Sequence, residues 1–251
     1  MAMHSVTLDA LDLAALLCSR VCHDVISPVG AIINGLEMLE EEKDPEMRAM
    51  ALDLVKKSAS NASARLQFCR LAFGAAGSAG AAIDTGDAEK VTRGLIGEGK
   101  IELAWQGTRQ LMPKNRVKVM LNLCLVAMAC VPRGGVVTVT IEGNSDQSTF
   151  SVTARGPNAR LASSVPAALA CAPESGAVDA HAIQPYYTGL VARACGLALN
   201  LTVEPDCVTF VAANEASDLD TSGLQAAAEA MAGASAGAVV GASVATHSAA
   251  A

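Results

Sequence analysis

Apolar residues recur at helical spacing along the first part of the chain, from about Leu8 to Glu42. Intervals of three and four residues place them on one broad stripe of a helix. The members of this stripe are Leu13, Leu17, Val21, Val25, Ile32, Leu36 and Leu39. Thr7 or Asp9 would cap its start, and the Lys43-Asp44-Pro45 break ends it, because proline starts helices better than it continues them.

A second helix is predicted from about Pro45 to Phe73. Its apolar side carries Met47, Ala51, Leu54, Ala62, Leu66, Cys69 and Phe73. Two long helices joined by a few residues form an antiparallel hairpin, which covers only one side of each stripe. Pairing two copies into a four-helix bundle would bury the rest, so the pattern predicts a homodimer.

After a linker of small residues at 74–82, the pattern changes to shorter helices and alternating strands. Helices are predicted near 87–97, at 113–130 and near 185–195, and strands at 100–106, 136–142, 148–154, 198–204 and 208–212. The predicted fold class is therefore α plus α/β, a helical hairpin at 8–73 followed by an α/β sandwich at 84–216. The Ala/Gly/Ser-rich tail, 217–251, is predicted to be disordered rather than to span a membrane.

Composition narrows the functional class. Hydrophobic residues make up 51% of the chain and aromatic residues 3%, so aliphatic side chains must build the core. A net charge of −7 argues against nucleic-acid binding, which leaves a basic footprint. Eight cysteines without a CxxC pair, and no signal-peptide pattern, favour a reducing cytoplasm and no membrane association.

Of the four histidines, His4 and His247 lie in terminal segments and His181 follows Asp179 in a loop-like stretch. His23 differs, because it lies in the middle of the first helix and off the apolar stripe. A phosphate-carrying histidine must present a neutral ring nitrogen to solvent, and the adjacent Asp24 is suited to hold the other ring N–H.

The helix around His23 has further features of a docking site. Pro28 removes one backbone hydrogen bond and is expected to bend or loosen the helix. On the same face as His23 the side chains are small or polar, at Ser27, Gly30, Ala31 and Asn34. From the residues alone, two interpretations stay open: a phosphoacceptor, or a surface histidine beside a kinked helix. A metal site made by Cys18, Cys22 and His23 is a third, although helical cysteine pairs usually pack as small hydrophobes.

The string His23-Asp24-x-x-Ser27-Pro28 resembles the phosphoacceptor box of sensor histidine kinases. In those proteins the box lies on the first helix of a dimeric hairpin, and the following domain binds ATP. The α/β part of this chain resembles that ATPase-like domain, and Leu121 to Ala127 resembles its asparagine box.

Three positions depart from the pattern of an ATP site. Val126 stands where a magnesium-binding asparagine is expected, and a hard cation requires oxygen ligands. Ala154 replaces the aspartate that would accept from the adenine amine, and Asn158 replaces a glycine. The glycine-rich lid box is also missing before the last long helix. The nucleotide site is therefore predicted to be degenerate, and we expect no cofactor to be bound by this chain.

A kinase-like hairpin followed by a degenerate ATPase-like domain resembles the ChpT-type histidine phosphotransferases of alphaproteobacterial cell-cycle phosphorelays. The Leu66 to Ala75 run contributes to this resemblance, which covers about Leu8 to Ala216. It implies that His23 is the phosphoacceptor and that phosphate moves from the receiver domain of a hybrid histidine kinase to response regulators. Asp24 would orient the imidazole, and Mg²⁺ would come from the partner receiver.

Two surfaces are predicted to contact the receiver. The first is a docking strip on the first helix together with two residues of the second helix: Ser27, Ala31, Asn34 and Gly35, with Phe68 and Arg70. The second is formed by Arg155 and Arg160 in the α/β domain. An active histidine kinase and a non-catalytic dimeric scaffold are the alternative functions.

Overall fold

The computed structural model describes residues 5–74, 81–173 and 175–215. Most of the predicted linker, the predicted tail, His4 and His247 lie outside the described residues. The described residues form a helical hairpin followed by a domain that combines two sheets with four α-helices.

The hairpin consists of α1 (Ala10–Glu41) and α2 (Pro45–Ala72), joined by three residues. Asp9 caps α1 and accepts from the backbone N–H groups of Leu11 and Asp12 at 2.7 and 3.0 Å. Asp44 caps α2, whose first residue is Pro45. Each cap satisfies donors that a helix start leaves unpaired, so the sequence signals for both starts are confirmed.

Small residues let the two helices approach closely. Pro28 and Gly35 are the buried residues of α1, and the buried residues of α2 include Ala51 and Ala62. A Cβ added at Gly35 would lie 2.7 Å from Cγ2 of Val55. The helix α1 runs on through Pro28, and the bond that Pro28 cannot donate leaves the carbonyl of Asp24 without its helical partner.

The second domain has a mixed five-stranded sheet in the order β2-β4-β5-β7-β6 and a separate antiparallel pair, β1-β3. Within the large sheet β2 is parallel to β4, and the other neighbours are antiparallel. The strands are β1 (Ala82–Asp84), β2 (Ile101–Gln106), β3 (Leu111–Pro113), β4 (Gly135–Glu142), β5 (Thr149–Arg155), β6 (Leu197–Glu204) and β7 (Cys207–Asn214). The helices are α3 (Thr85–Ile96), α4 (Lys114–Cys130), α5 (Ser164–Leu169) and α6 (Ile183–Ala194). This arrangement confirms the predicted α/β sandwich.

The main hydrophobic core lies between the sheet and α4 and continues into the hairpin. Phe68, Leu71 and Ala72 at the end of α2 belong to the same buried cluster as Leu121 and Val126. A second cluster joins the start of α1 to α6; it contains Ile183 and Tyr186, with Leu13, Leu16 and Leu17 packed against it. The second domain is therefore packed against the open end of the hairpin, where α1 begins and α2 ends.

Within the described residues, α1 is the one helix long and apolar enough to cross a membrane by length and composition. Only 6% of its most apolar stretch of 18 residues is buried inside the molecule. This helix therefore exposes apolar surface that a single chain does not cover.

Candidate phosphotransfer site

His23 stands on the exposed surface of α1 with one ring nitrogen held by its neighbour. Its side chain is 82% exposed, and Nδ1 lies 3.3 Å from Oδ1 of Asp24. The other carboxylate oxygen of Asp24 accepts from Nε of Arg20 at 3.0 Å. Arg20, Asp24 and His23 thus form a continuous polar chain along one turn of the helix.

This geometry selects one tautomer of the neutral ring. Because the carboxylate of Asp24 can only accept, the contact with Nδ1 requires the proton on Nδ1. The lone pair of Nε2 then points to solvent, where it can attack an electrophile. The two bonds to Asp24 fix the carboxylate, and through it the ring.

Arg20 belongs to this set of three hydrogen-bonded side chains, and the sequence interpretation missed it. The signal for it was present, since Arg20 and Asp24 are four residues apart and therefore adjacent on a helix. The side chain of Arg20 is 31% exposed, so its ion pair with Asp24 is partly shielded from water.

A cavity of about 280 Å³ lies between the hairpin and α4, next to Asp24. On the hairpin side it is lined by Arg20, Asp24, Arg65, Phe68 and Cys69, and on the other side by Leu95, Ile101, Leu125, Met128 and Ala129. Burial raises the pKa of the Cys69 thiol, so it is neutral at physiological pH. The charged groups of the cavity, on Arg20, Asp24 and Arg65, therefore all lie on the hairpin wall, and the opposite wall is apolar.

Most residues of the predicted docking surfaces are accessible. Ser27 and Asn34 are exposed, and Ala31 is half-buried. These residues follow His23 by 4, 8 and 11 positions, which places them on its face of the helix. Arg70 is also exposed, at the end of α2.

Two members of the predicted docking surface are not accessible, and the prediction is wrong for them. Gly35 is buried against α2, where Val55 occupies the space that a side chain would need. Phe68 is 1% exposed and belongs to the core that joins α2 to α4. Gly35 therefore packs α1 against α2, and Phe68 packs α2 against the second domain.

Arg155 and Arg160 are exposed at either end of a loop that is firmly held. The N–H of Asn158 donates to Oδ1 of Asp206 at 2.6 Å, and the N–H of Gly156 donates to the Asp206 carbonyl at 3.0 Å. The N–H of Arg160 donates to the carbonyl of Cys130 at the end of α4. We call residues 155–160 the arginine loop; it is attached to the β6–β7 turn and to α4.

The three residues of the predicted degenerate nucleotide site lie in different environments. Val126 is 4% exposed and Ala154 is fully buried, and both belong to the apolar core. Asn158 lies in the arginine loop with a φ of 60°, a left-handed conformation that asparagine tolerates better than most residues. Apolar packing at Val126 and Ala154 provides no ligand for a metal or for an adenine amine.

The described residues contain no group of three or more His, Cys, Asp or Glu side chains arranged to hold a metal ion. Asp24 is the acid in contact with His23, and both of its oxygens already accept hydrogen bonds. The donor set around His23 therefore does not fit a magnesium site of this chain's own, since Mg²⁺ prefers several oxygen ligands.

Comparison with known proteins gives a consistent set of relatives. The family model for the histidine phosphotransferase C-terminal domain matches residues 85–207. Protein phosphotransferase ChpT of Brucella abortus (strain 2308) is 48% identical over 207 residues, which cover 82% of this chain and 98% of that protein. A solved bacterial phosphotransferase superposes with a TM-score of 0.76 at 46% identity, over 83% of this chain and 98% of the other.

Proposed function

This chain belongs to the ChpT family of histidine phosphotransferases, and from this premise we propose that His23 is the residue that carries the phosphoryl group. Its function is phosphotransfer. The proposed donor is the aspartyl phosphate of the receiver domain of a hybrid histidine kinase, and the acceptors are response regulators. The observation that carries the proposal is the exposed His23 ring, with Nδ1 held by Asp24 and Nε2 open to solvent.

In the proposed reaction, the lone pair of Nε2 attacks the phosphorus of the receiver's aspartyl phosphate. The Nε2–P bond forms as the P–O bond breaks, and the aspartate leaves as a carboxylate with the electron pair of that bond. The proton stays on Nδ1, where Asp24 accepts its hydrogen bond and stabilises the positive ring. Transfer to the next receiver is the same step in reverse, so positioning and charge neutralisation govern its rate.

Magnesium, in this proposal, belongs to the receiver domain. The engaged oxygens of Asp24 support this assignment, because they leave His23 without a free carboxylate neighbour among the described residues that would coordinate the ion. The burial of Val126 and Ala154 likewise supports a degenerate nucleotide site and phosphotransfer without ATP.

The receiver would dock on two surfaces of unlike character. On α1, the small and polar side chains of Ser27, Ala31 and Asn34 leave room for a partner helix to lie close to His23. On the second domain, Arg155 and Arg160 offer positive charge to the acidic face that surrounds a receiver's phosphorylated aspartate.

The apolar surface of the hairpin supports the proposed homodimer. Beyond Leu11 in the first turn, the large apolar side chains of α1 that remain at least 41% exposed are Ile26, Val29, Ile33 and Leu36. They follow one another at intervals of three and four residues, the period of a helix–helix seam. A second hairpin would cover this face and complete a four-helix bundle, leaving His23 on the outside.

The test is transfer of labelled phosphate from a phosphorylated receiver domain to purified chain. We expect wild-type protein to gain the label and His23→Gln to gain none while keeping its melting temperature. His181→Gln is the matched control, because it changes the other histidine of the described residues, which is exposed on a loop. Labelling of His23→Gln would exclude His23 as the carrier.

A second arm separates this function from the alternatives. Incubation of the chain alone with labelled ATP should leave it unlabelled, whereas autophosphorylation would identify an active kinase. A receiver that binds the chain but keeps its phosphate would identify a scaffold.

A further inference from the structure

Helix α6 holds the start of the hairpin through a buried tyrosine. The hydroxyl of Tyr186 donates to the carbonyl of Val6 at 2.9 Å and accepts from the N–H of Leu8 at 3.2 Å. The N–H of Val6 also donates to the carbonyl of Cys171, just after α5, at 2.9 Å. The residues that lead into α1 are therefore bonded to the second domain through the N–H and the carbonyl of Val6 and through the N–H of Leu8.

The same helix holds the end of the hairpin. Nε2 of Gln184 donates to Oδ1 of Asn122 at 2.5 Å, and Nδ2 of Asn122 donates to the carbonyl of Ala72, the last residue of α2, at 2.9 Å. The ring of Tyr187 lies 5.6 Å from the ring of Phe73, centroid to centroid. One turn of α6 thus contacts both termini of the hairpin, the residues before α1 and the end of α2.

Burial makes these contacts strong and mutually dependent. Gln184 is 4% exposed, and Tyr186 and Asn122 are fully buried. A buried polar group that loses its partner incurs a desolvation penalty, so these bonds resist separation of the domain from the hairpin. Apolar packing of Leu13, Leu16 and Leu17 against Ile183 and Tyr186 acts in the same direction.

The orientation of the second domain determines the surroundings of His23. Leu125 and Met128 of α4 face Arg20 and Asp24 across the cavity. The arginine loop is bonded to the end of α4 through Cys130. A rotation of the domain about the hairpin would move the loop and the cavity wall together, away from the phosphoacceptor.

We propose that Gln184, Tyr186 and Tyr187 form a bracket that holds the second domain in one orientation, so that a receiver domain meets the His23 face and the arginine loop as one preformed surface. This inference rests on the proposed function. The three are positioning residues, since they act through the domain they hold. A receiver binds both surfaces only in the docked state, so its apparent affinity falls in proportion to the fraction of molecules that are docked.

The test uses conservative variants of the full chain. Tyr186→Phe removes the hydroxyl and keeps the ring in the apolar cluster, and Gln184→Met removes the bond to Asn122 at similar volume. The double variant loses both and should undock a substantial fraction of molecules. Each single variant should have a smaller effect, because one intact end still favours the docked state.

Two controls separate positioning from stability. Tyr187→Phe removes a neighbouring hydroxyl that makes no hydrogen bond among the described residues and keeps the ring contact with Phe73. Thr188→Val removes a buried bond to the carbonyl of Gln184, within α6 itself, and so lowers stability without touching the hairpin.

Hydrogen exchange, receiver affinity and transfer kinetics are measured on every variant. We expect faster exchange of the Val6 and Leu8 amides in the double variant, and a KM and Kd for the receiver raised at least about threefold. The limiting transfer rate should change less than about twofold, because the His23 turn is intact. Both controls should match wild type in KM and Kd.

The bracket is excluded if exchange in residues 5–9 is unchanged in the double variant, or if it accelerates while KM and Kd stay at their wild-type values. An equal rise of KM in Thr188→Val would also exclude it, since that result would mean general destabilisation. Failure of the wild-type chain to accept phosphate would instead overturn the proposed function, and exchange together with receiver affinity would still decide the bracket.

Discussion

Asp24 accepts from two directions at once, from Nδ1 of His23 at 3.3 Å and from Nε of Arg20 at 3.0 Å. A carboxylate held by these two hydrogen bonds keeps the imidazole in one tautomer and one orientation. It also places negative charge where positive charge develops when Nε2 forms its bond to phosphorus. Asp24 therefore has both a geometric and an electrostatic role in the proposed transfer.

Replacing Asp24 with asparagine separates these two roles. Asp24→Asn keeps an oxygen that can accept from Nδ1 but removes the charge. Hydrogen bonds to charged groups contribute about 1–1.5 kcal/mol more than neutral ones, so the transfer rate should fall by about tenfold. Single-turnover transfer from a phosphorylated receiver measures it.

Asp24→Ala should be slower still, since it leaves the ring free to rotate. Arg20→Gln is the companion variant, and its effect should be smaller because the carboxylate remains. A wild-type rate in Asp24→Ala would exclude any role of the carboxylate in transfer.

The two long helices could be predicted from the sequence because their apolar period extends over many turns and their caps are plain. The structure places their ends within two residues of the predicted ends. The short elements were missed: β1 and β3 have three residues each and α5 has six, too few for a periodic signal. These elements depend on tertiary contacts for their formation.

Among the site residues too, those with a local sequence signal could be predicted and those that depend on distant residues could not. His23 and Asp24 could be found because they are adjacent in sequence and resemble a known motif. Phe68 was misplaced on the surface because its burying partners come from α4, about 50 residues further along the chain. The bond from Tyr186 to Val6 joins residues 180 apart, and no local pattern predicts such a pair.

A charge on the apolar face of α1 should dissociate the proposed dimer. Ile33 is 52% exposed in the single chain, and Ile33→Asp would bury a carboxylate in the bundle core without a partner. We expect monomers by sedimentation equilibrium at concentrations where wild type is dimeric. Asn34→Asp is the matched control, since it adds the same charge on the face of His23 and should remain dimeric.

Asp84 should contribute to the acid sensitivity of the second domain. The guanidinium of Arg109, and then the N–H of Gly86, hold the pKa of the Asp84 carboxyl below its usual value of 3.8. A depressed folded-state pKa stabilises the fold above the unfolded value, and this contribution is lost as the pH falls through the folded-state pKa.

Thermal unfolding of Asp84→Asn across this pH range tests the contribution. The variant keeps an oxygen that can cap α3 but loses the ion pair with Arg109, so its melting temperature should be lower than that of wild type at neutral pH. The difference should shrink as the pH falls below the unfolded-state value of about 3.9 and through the lower folded-state pKa, where the folded wild-type carboxyl becomes protonated. Arg109→Gln should remove the same pH dependence, and a constant difference at all pH values would contradict the assignment.

Replacing each of two glycines of α1 with alanine should change the free energy of unfolding in opposite directions. At Gly30 a new Cβ would meet no atom within 4 Å, whereas at Gly35 it would lie 2.7 Å from Cγ2 of Val55 and 3.3 Å from the carbonyl of Ala51. Gly30→Ala should stabilise the protein by about 0.4–1 kcal/mol, because alanine loses less entropy in a helix. Gly35→Ala should destabilise it by about 1–3 kcal/mol, because α1 and α2 must move apart. Urea unfolding at fixed protein concentration measures both, and equal shifts would show that the α1–α2 contact is looser than the structure describes.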